Sequence, residues 1–84
     1  MDRDLLTVLS DPQEHFSKRQ RIVSRYICDN IDTAAFMTAA MLSKSAGVSE
    51  STVVRFATEL GFSGYPDMRR ELQLVLKSRL LKIK

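Results

Sequence analysis

The sequence predicts an all-α fold, a compact helical bundle of four to five helices that contains a helix-turn-helix. Its 84 residues include only three glycines and two prolines, so few positions favour turns. Apolar residues recur at helical spacing along most of the chain. Gly47, which suits a helix end, and Ser49, which suits a helix start, are separated by one residue. A chain this short has room for one core, so we expect residues 1–84 to form one domain.

A short amphipathic helix is expected near the start of the chain. Leu5, Leu6 and Leu9 share one face of such a helix, and Asp11-Pro12 ends it. We expect this acidic, leucine-bearing segment either to fold back onto the domain or to contact a partner.

A basic amphipathic helix follows. Ser17 stands three residues before Gln20, which is the spacing of a capping box at a helix start. Apolar residues then recur at helical spacing, at Ile22, Val23, Tyr26, Ile27 and Ile31. Cations occupy much of the remaining surface, at Lys18, Arg19, Arg21 and Arg25. These cations either form an ordinary solvated face or include one or two phosphate contacts.

Two further helices form the predicted helix-turn-helix. A turn or short helix over residues 32–36 precedes Thr38, which can cap a helix through about Ser45. The turn Gly47-Val48-Ser49 follows, and the next helix spans residues 50–60. Two helices joined by a three-residue turn with an early glycine have the geometry of a helix-turn-helix.

The crossing of these two helices also has suitable residues. Close approach needs a small residue, and Ser43, four residues before Gly47, is small. Apolar residues that can fill the crossing are Leu42, Ala46, Val48, Val53 and Phe56. The residues at the helix crossing therefore support the same helix-turn-helix that the turn Gly47-Val48-Ser49 predicts.

A last helix is predicted from Pro66 to the end of the chain. Pro66 suits the first helical position, and Asp67 suits the positive end of the helix dipole. Its apolar positions are Met68, Leu72, Val75, Leu76, Leu80 and Ile83. Leu74 and Leu81 lie on another face, which one small core does not cover. That face predicts a partner, either a second copy in a homodimer or the linker to a further domain.

The net charge permits nucleic acid as a partner without proving it, and the composition disfavours an enzyme. The net charge is +3, and two basic stretches, residues 16–31 and 66–84, flank a nearly neutral middle. The single histidine, His15, and the single cysteine, Cys28, leave too few groups for a metal site or an activated nucleophile. We therefore expect no cofactor and no metal. A lone cysteine and the lack of a long apolar run predict a cytoplasmic protein with no membrane contact.

The exposed face of the helix over residues 50–60 has chemistry suited to double-stranded DNA. The first residues of such a helix reach base edges in the major groove. Ser51 and Thr52 have short hydroxyl side chains that allow close approach, and Arg55 can contact guanine through two hydrogen bonds. Glu50 either accepts from a cytosine amine or favours the helix start by its charge.

At these residues the sequence resembles a known family. The stretch GVSESTVVRFATELGFSGYPDMRREL, preceded by AFMTAAMLSKSA, is similar to the N-terminal DNA-binding domain of RpiR-type bacterial transcription regulators. The most specific parts are S-x-S-T-V-V-R-F and L-G-F-S-G-Y, and the resemblance covers roughly residues 5–77. It implies that the helix over residues 50–60 enters the major groove. The matching contact positions are Ser49, Ser51, Thr52 and Arg55, followed by a turn at Phe62, Gly64 and Tyr65.

The resemblance also implies a sensor. Regulators of this type carry a C-terminal sugar-isomerase-like domain that binds phosphorylated sugars, and these 84 residues contain no βαβ pattern. We therefore expect a fragment of a larger regulator of sugar or sugar-phosphate metabolism genes. A phosphosugar effector would bind only the absent C-terminal domain. Ser43 and Lys44 stand where such domains often have alanine and a variable polar residue, which leaves the operator sequence open.

The predicted DNA contacts are Thr38, Lys44, Ser49, Glu50, Ser51, Thr52, Arg55, Tyr65 and Arg69. Arg69 and its neighbour Arg70 are expected near phosphates, and Tyr65 either packs its ring or directs its hydroxyl to a phosphate. The alternative is a helical protein–protein interaction or dimerisation module that does not read DNA. The low charge of the helix over residues 50–60, where Arg55 stands against Glu50 and Glu59, supports that alternative.

Overall fold

A computed structural model describes residues 5–10 and 16–82, and these residues form α-helices without any strand. The helices are α1 (Leu5–Ser10), α2 (Lys18–Asp29), α3 (Ile31–Ala34), α4 (Ala39–Ala46), α5 (Glu50–Glu59) and α6 (Tyr65–Lys82). Four of them have eight residues or more, and α1 and α3 are shorter. The predicted all-α bundle is confirmed. Within the described part of the chain, no helix is both long enough and apolar enough to cross a bilayer.

The core lies where α2, α4, α5 and α6 meet. Its largest fully buried side chains are Phe56, Ile27, Leu42, Met68, Leu72, Val23 and Val53. The ring of Phe16, which precedes α2, packs against the ring of Phe56 with 5.4 Å between the ring centroids. Because Phe56 lies on α5, this packing holds α5 from several sides and leaves its opposite face to solvent.

The turn between α4 and α5 is built as the sequence predicts. Gly47 ends α4 in the left-handed conformation, with φ of 78°. The backbone N–H groups of Gly47 and Val48 both donate to the carbonyl oxygen of Ser43, at 2.9 and 3.0 Å. Ser49 then caps α5, because its Oγ accepts from the backbone N–H of Thr52 at 3.2 Å. Backbone and side-chain hydrogen bonds therefore fix α5 relative to α4.

The start of α2 is also fixed. The backbone N–H of Ser17 donates to Oε1 of Gln20 at 2.8 Å, and the backbone N–H of Gln20 donates to Oγ of Ser17 at 3.2 Å. The predicted capping box is therefore confirmed. Further along α2, the buried Ser24 donates through its hydroxyl to the carbonyl oxygen of Leu9, which attaches α1 to α2.

Two side-chain hydrogen bonds attach α6 to the segment between α3 and α4. The Tyr65 hydroxyl donates to the carbonyl oxygen of Met37 at 2.7 Å. Nε2 of Gln73 donates to the carbonyl oxygen of Ala35 at 2.9 Å. The ring of Tyr65 and the side chains of Met68 and Leu72 are buried on the same side of α6. The first half of α6 is therefore part of the core.

Two residues predicted to be apolar core positions are exposed. Ile22 is 39% exposed, because α2 turns Val23, Ser24 and Ile27 toward the core and places Ile22 beside the turn that follows α4. Leu80 is 60% exposed. With 18 residues, α6 is about 27 Å long, and its last turns extend beyond the shorter helices that cover its first half.

Small differences concern helix ends and undescribed residues. α6 begins at Tyr65, one residue before the predicted Pro66, and the last helical residue of α5 is Glu59, with Leu60 as its cap. The predicted helix end at Asp11-Pro12 lies outside the described residues, as do His15 and the last two residues of the chain.

Replacing Gly47 by alanine tests the turn. A Cβ at Gly47 would meet no atom within 4 Å, so the only penalty is the left-handed backbone conformation. We expect Gly47→Ala to lower the free energy of unfolding by about 1 kcal/mol in urea denaturation. The matched control is Gly64→Ala, because Gly64 lacks a positive φ and its Cβ would make only an ordinary contact with Pro66. Equal stability of the two variants would contradict the prediction.

Replacing Tyr65 by phenylalanine tests the attachment of α6. The variant keeps the buried ring but removes the hydrogen bond to the Met37 carbonyl. We expect Tyr65→Phe to lower the free energy of unfolding by about 1 kcal/mol. The second tyrosine, Tyr26, shows no such bond in the described residues, so Tyr26→Phe serves as the control. An unchanged denaturation midpoint in Tyr65→Phe would show that this bond does not stabilise the fold.

Candidate nucleic-acid interface

The surface of α5 divides into an apolar inner face and a polar outer face. Val53, Phe56 and Ala57 are buried. Glu50, Ser51, Val54, Arg55, Thr58 and Glu59 are exposed, and Thr52 is half-buried at the boundary. Because the inner face is fully enclosed, the outer face is presented in a fixed orientation. The structure therefore places the predicted contacts of this helix on one accessible surface.

Three hydroxyl groups meet at the N-terminus of α5. Oγ of Ser49 lies 3.1 Å from Oγ of Ser51 and 2.8 Å from Oγ1 of Thr52. Short hydroxyl side chains let a helix approach another surface closely, and each can both donate and accept. This cluster provides a compact hydrogen-bonding surface at the end of the helix that points away from the core.

The N-terminal half of α2 lies beside the outer face of α5. A groove between the two helices is lined by Arg19 and Arg21 on one side and by Thr52 and Arg55 on the other. A second groove runs from Arg19 to the turn at Gly47–Ser49. Two helices distant in sequence therefore form one basic surface.

A hydrogen bond between two side chains that line the first groove joins α2 to α5. Nε2 of Gln20 donates to Oε1 of Glu59, the last residue of α5. The sequence predicts Gln20 only as a capping residue of α2 and Glu59 only as a charge on α5, and no local pattern pairs two residues that are 39 positions apart. A pairing this distant becomes visible only when the helices are placed in space.

Thr38 and Lys44 lie at the two ends of α4. Thr38 is exposed, and its Oγ1 accepts from the backbone N–H of Met41 at 3.1 Å, so it caps the helix as predicted. Lys44 is exposed in the last turn, where its charge complements the helix dipole. Neither side chain lines the grooves beside α5. Thr38 and Lys44 are therefore separate from the surface formed by α2 and α5.

Tyr65 is buried, and its hydroxyl proton is committed to the Met37 carbonyl. Burial raises the pKa of this phenol, and the nearby Arg69 partly opposes the effect, so Tyr65 is neutral at physiological pH. The hydroxyl has no second proton to donate to a phosphate. Of the two predicted roles for Tyr65, the packing role is the one that the structure shows.

Arg69 and Arg70 differ although they are neighbours. Nη1 of Arg70 donates to Oδ1 of Asp67 at 3.0 Å. The hydroxyl of Ser63 donates to the other oxygen of Asp67, and this bond and Arg70 lower the pKa of that carboxyl. Arg69 is half-buried, and its Nε is enclosed without a hydrogen-bond partner in the described residues. Because Asp67 already pairs with Arg70, Arg69 is the better candidate of the two for an anion.

The described residues show no group of three or more histidine, cysteine or acidic side chains that could hold a metal ion. The single cysteine, Cys28, is partly buried. Burial and the neighbouring Asp29 raise the pKa of its thiol, while Arg79 opposes them. A thiol with a raised pKa is mainly protonated at neutral pH and is a weak nucleophile.

Known proteins similar to this chain are helix-turn-helix regulators, which agrees with the helix-turn-helix formed by α4 and α5. Residues 3–79 match the helix-turn-helix domain of the rpiR family. HexR of Pseudomonas aeruginosa, an HTH-type transcriptional regulator, is 34% identical over 76 residues, which are 90% of this chain and 27% of HexR. An uncharacterized HTH-type transcriptional regulator of Clostridium perfringens is 29% identical over 65 residues, which are 77% of this chain and 23% of that protein.

A solved structure has the same fold. The Vibrio vulnificus NanR protein complexed with ManNAc-6P is 38% identical and superposes with a TM-score of 0.82, over 88% of this chain and 28% of that chain. The chain thus spans about a quarter of the length of the relatives it matches. The family match extends across all the described elements, from α1 through most of α6. The chain belongs to the rpiR family of helix-turn-helix transcription regulators.

Proposed function

We propose that this domain binds double-stranded DNA sequence-specifically by placing α5 in the major groove. The observation that carries the proposal is the division of α5 into a fully buried apolar face and an exposed polar face. A helix held in this way can enter a groove without losing contact with its own core. The N-terminal hydroxyl cluster at Ser49, Ser51 and Thr52 then reaches the base edges and backbone first.

The proposed contacts divide into base contacts and backbone contacts. Ser51, Thr52 and Arg55 read base edges, with Arg55 directed to guanine. Backbone contacts come from Thr38, Lys44, Ser49 and Arg69. Glu50 accepts from a cytosine amine or acts only through its favourable charge at the helix start. Tyr65 contributes indirectly, because it holds the start of α6 beside Arg69.

We also propose which class of genes this chain controls. NanR was solved with ManNAc-6P, a phosphorylated sugar, and this supports control of sugar or sugar-phosphate metabolism genes by this chain. A regulator that binds bacterial DNA would act in the cytoplasm. A phosphosugar effector would act through a C-terminal domain outside these 84 residues. Effector binding would change the spacing or orientation of paired DNA-binding domains, and an operator affinity that no phosphosugar alters in the intact protein would contradict this step.

Arg55→Ala tests base reading. Because Arg55 lies on the outer face of α5, its loss should not disturb the core. We expect the affinity for a duplex selected from a random pool to fall by about 1–3 kcal/mol, and specificity at one base pair to relax. Electrophoretic mobility shifts with single-base variants of the selected duplex provide the measurement. Arg79→Ala is the control, because Arg79 is an exposed arginine on α6 outside the proposed contacts. Equal affinities of the two variants would favour the protein–protein alternative.

We further propose that the domain acts as a homodimer through the last turns of α6. Leu74, Leu80 and Leu81 are 55%, 60% and 69% exposed. Two-fold dimers that read paired half-sites are the common arrangement of helix-turn-helix proteins, and a second copy would cover these leucines.

Adding charge to this face tests the dimer. We expect the double variant Leu74→Glu and Leu81→Glu to sediment as a monomer at concentrations where the wild-type chain sediments as a dimer, because paired carboxylates cannot be buried in an apolar interface. Ala40→Glu, at an exposed position on a different helix, α4, is the control for added charge. A wild-type chain that remains monomeric, even on DNA with two half-sites, would overturn the proposed homodimer.

A further inference from the structure

We infer that the N-terminal half of α2 is a second DNA-contacting element, in which Arg19 and Arg21 bind backbone phosphates of the duplex that α5 enters. The inference rests on the proposed function and assigns a role to residues outside the helix-turn-helix. It also decides between the two interpretations of the basic face of α2, a solvated surface or a phosphate-binding surface.

The position of Arg19 is the first argument. It is exposed and lines both grooves beside the helix-turn-helix, one toward Thr52 and Arg55 and the other toward the turn at Gly47–Ser49. Arg21 lines the first groove as well and is also exposed. An element that follows the outer edge of a helix in the major groove lies beside the sugar–phosphate backbone that borders that groove. The two guanidinium groups therefore lie where they can contact a backbone phosphate of a duplex that α5 enters.

The side chain of Gln20 is the second argument. Its Oε1 accepts from the backbone N–H of Ser17, and its Nε2 donates to Glu59 at the end of α5. One side chain thereby connects the start of α2 to the end of α5. Because Arg19 and Arg21 flank Gln20 in sequence, this connection fixes their backbone positions relative to the outer face of α5. Backbone contacts that set the register of a protein on DNA need such a fixed geometry.

The local charge is the third argument. Four cations and no acid lie between Lys18 and Arg25. Within the described residues, the recorded salt bridge joins Arg70 to Asp67, and no acid lies within salt-bridge distance of Arg19 or Arg21. Three arginines, Arg19, Arg21 and Arg55, line this groove against one carboxylate, that of Glu59. The groove therefore presents positive charge to an approaching phosphate.

The salt dependence of DNA binding tests the inference. Binding of a random-sequence duplex pool and of a duplex selected from it is measured over a range of salt concentrations, for the wild type, Arg19→Ala, Arg21→Ala and the double variant. Each lost phosphate contact should reduce the slope of log affinity against log salt by about 0.9. We expect a reduction near that value in each single variant and near twice that value in the double variant. The loss should be equal on both DNA samples, because phosphate contacts do not depend on sequence.

Arg25→Ala is the matched control. Arg25 is an exposed arginine on the same helix, and it lines neither groove. Its loss should leave the slope almost unchanged. A slope reduction in Arg25→Ala equal to that in Arg19→Ala would reveal a general effect of charge and would overturn the inference. Circular dichroism of each variant verifies that α2 remains folded.

The result also separates this inference from the proposed function. In one outcome, the wild type binds DNA and Arg55→Ala weakens that binding, but the Arg19 and Arg21 double variant keeps the wild-type salt slope. The inference about α2 is then wrong, while the proposed function stands. If the wild type shows no salt-dependent binding to either DNA sample, both are wrong.

Discussion

The enclosure of Phe56 is the interaction on which the position of α5 depends. Its side chain is completely buried, and the ring of Phe16 packs against it from the chain segment that begins α2. Burial of a side chain of this size contributes about 1.5–3 kcal/mol, which is a large fraction of the stability of a small domain. Because Phe56 lies on the same helix as Arg55, the residue that anchors α5 and the residue proposed to read DNA are adjacent. Packing on one side of the helix therefore sets the orientation of the chemistry on the other side.

The turn before α5 adds a second, directional constraint. The core determines which face of α5 is buried, but it does not by itself determine the angle between α4 and α5. That angle is fixed by the left-handed Gly47, by the two hydrogen bonds that end at the Ser43 carbonyl and by the Ser49 cap. The same Ser49 hydroxyl contacts Ser51 and Thr52. A group that begins the helix thus also belongs to the surface proposed to meet DNA.

Helix caps and turns could be predicted from the sequence because they depend on nearby residues, whereas side-chain exposure and contacts between helices could not because they depend on distant ones. The caps at Ser17, Thr38 and Ser49 and the glycine at position 47 were predicted, because each requires a particular residue at a fixed short spacing. The exposure of Ile22 was not predicted, since helical spacing alone cannot show how far an apolar stripe is covered by neighbours. The pairing of Gln20 with Glu59 is not predicted either, because it joins two helices that are distant in sequence and whose relative position depends on the packing of the whole domain. The predicted site residues of α5 share one face, whereas those at the ends of α4 and on α6 lie apart from it.

The packing also explains how a chain with a net charge of only +3 can present a locally basic surface. Its cations are not equivalent. Arg70 is paired with Asp67, so part of its charge is compensated locally. Glu59 places one carboxylate beside the groove between α2 and α5. Arg19 and Arg21 on α2 and Arg55 on α5 line one groove although they are far apart in sequence. Affinity for a polyanion depends on the local arrangement of charge more than on its sum, so the helix packing that buries Phe56 also gathers the basic side chains on one face.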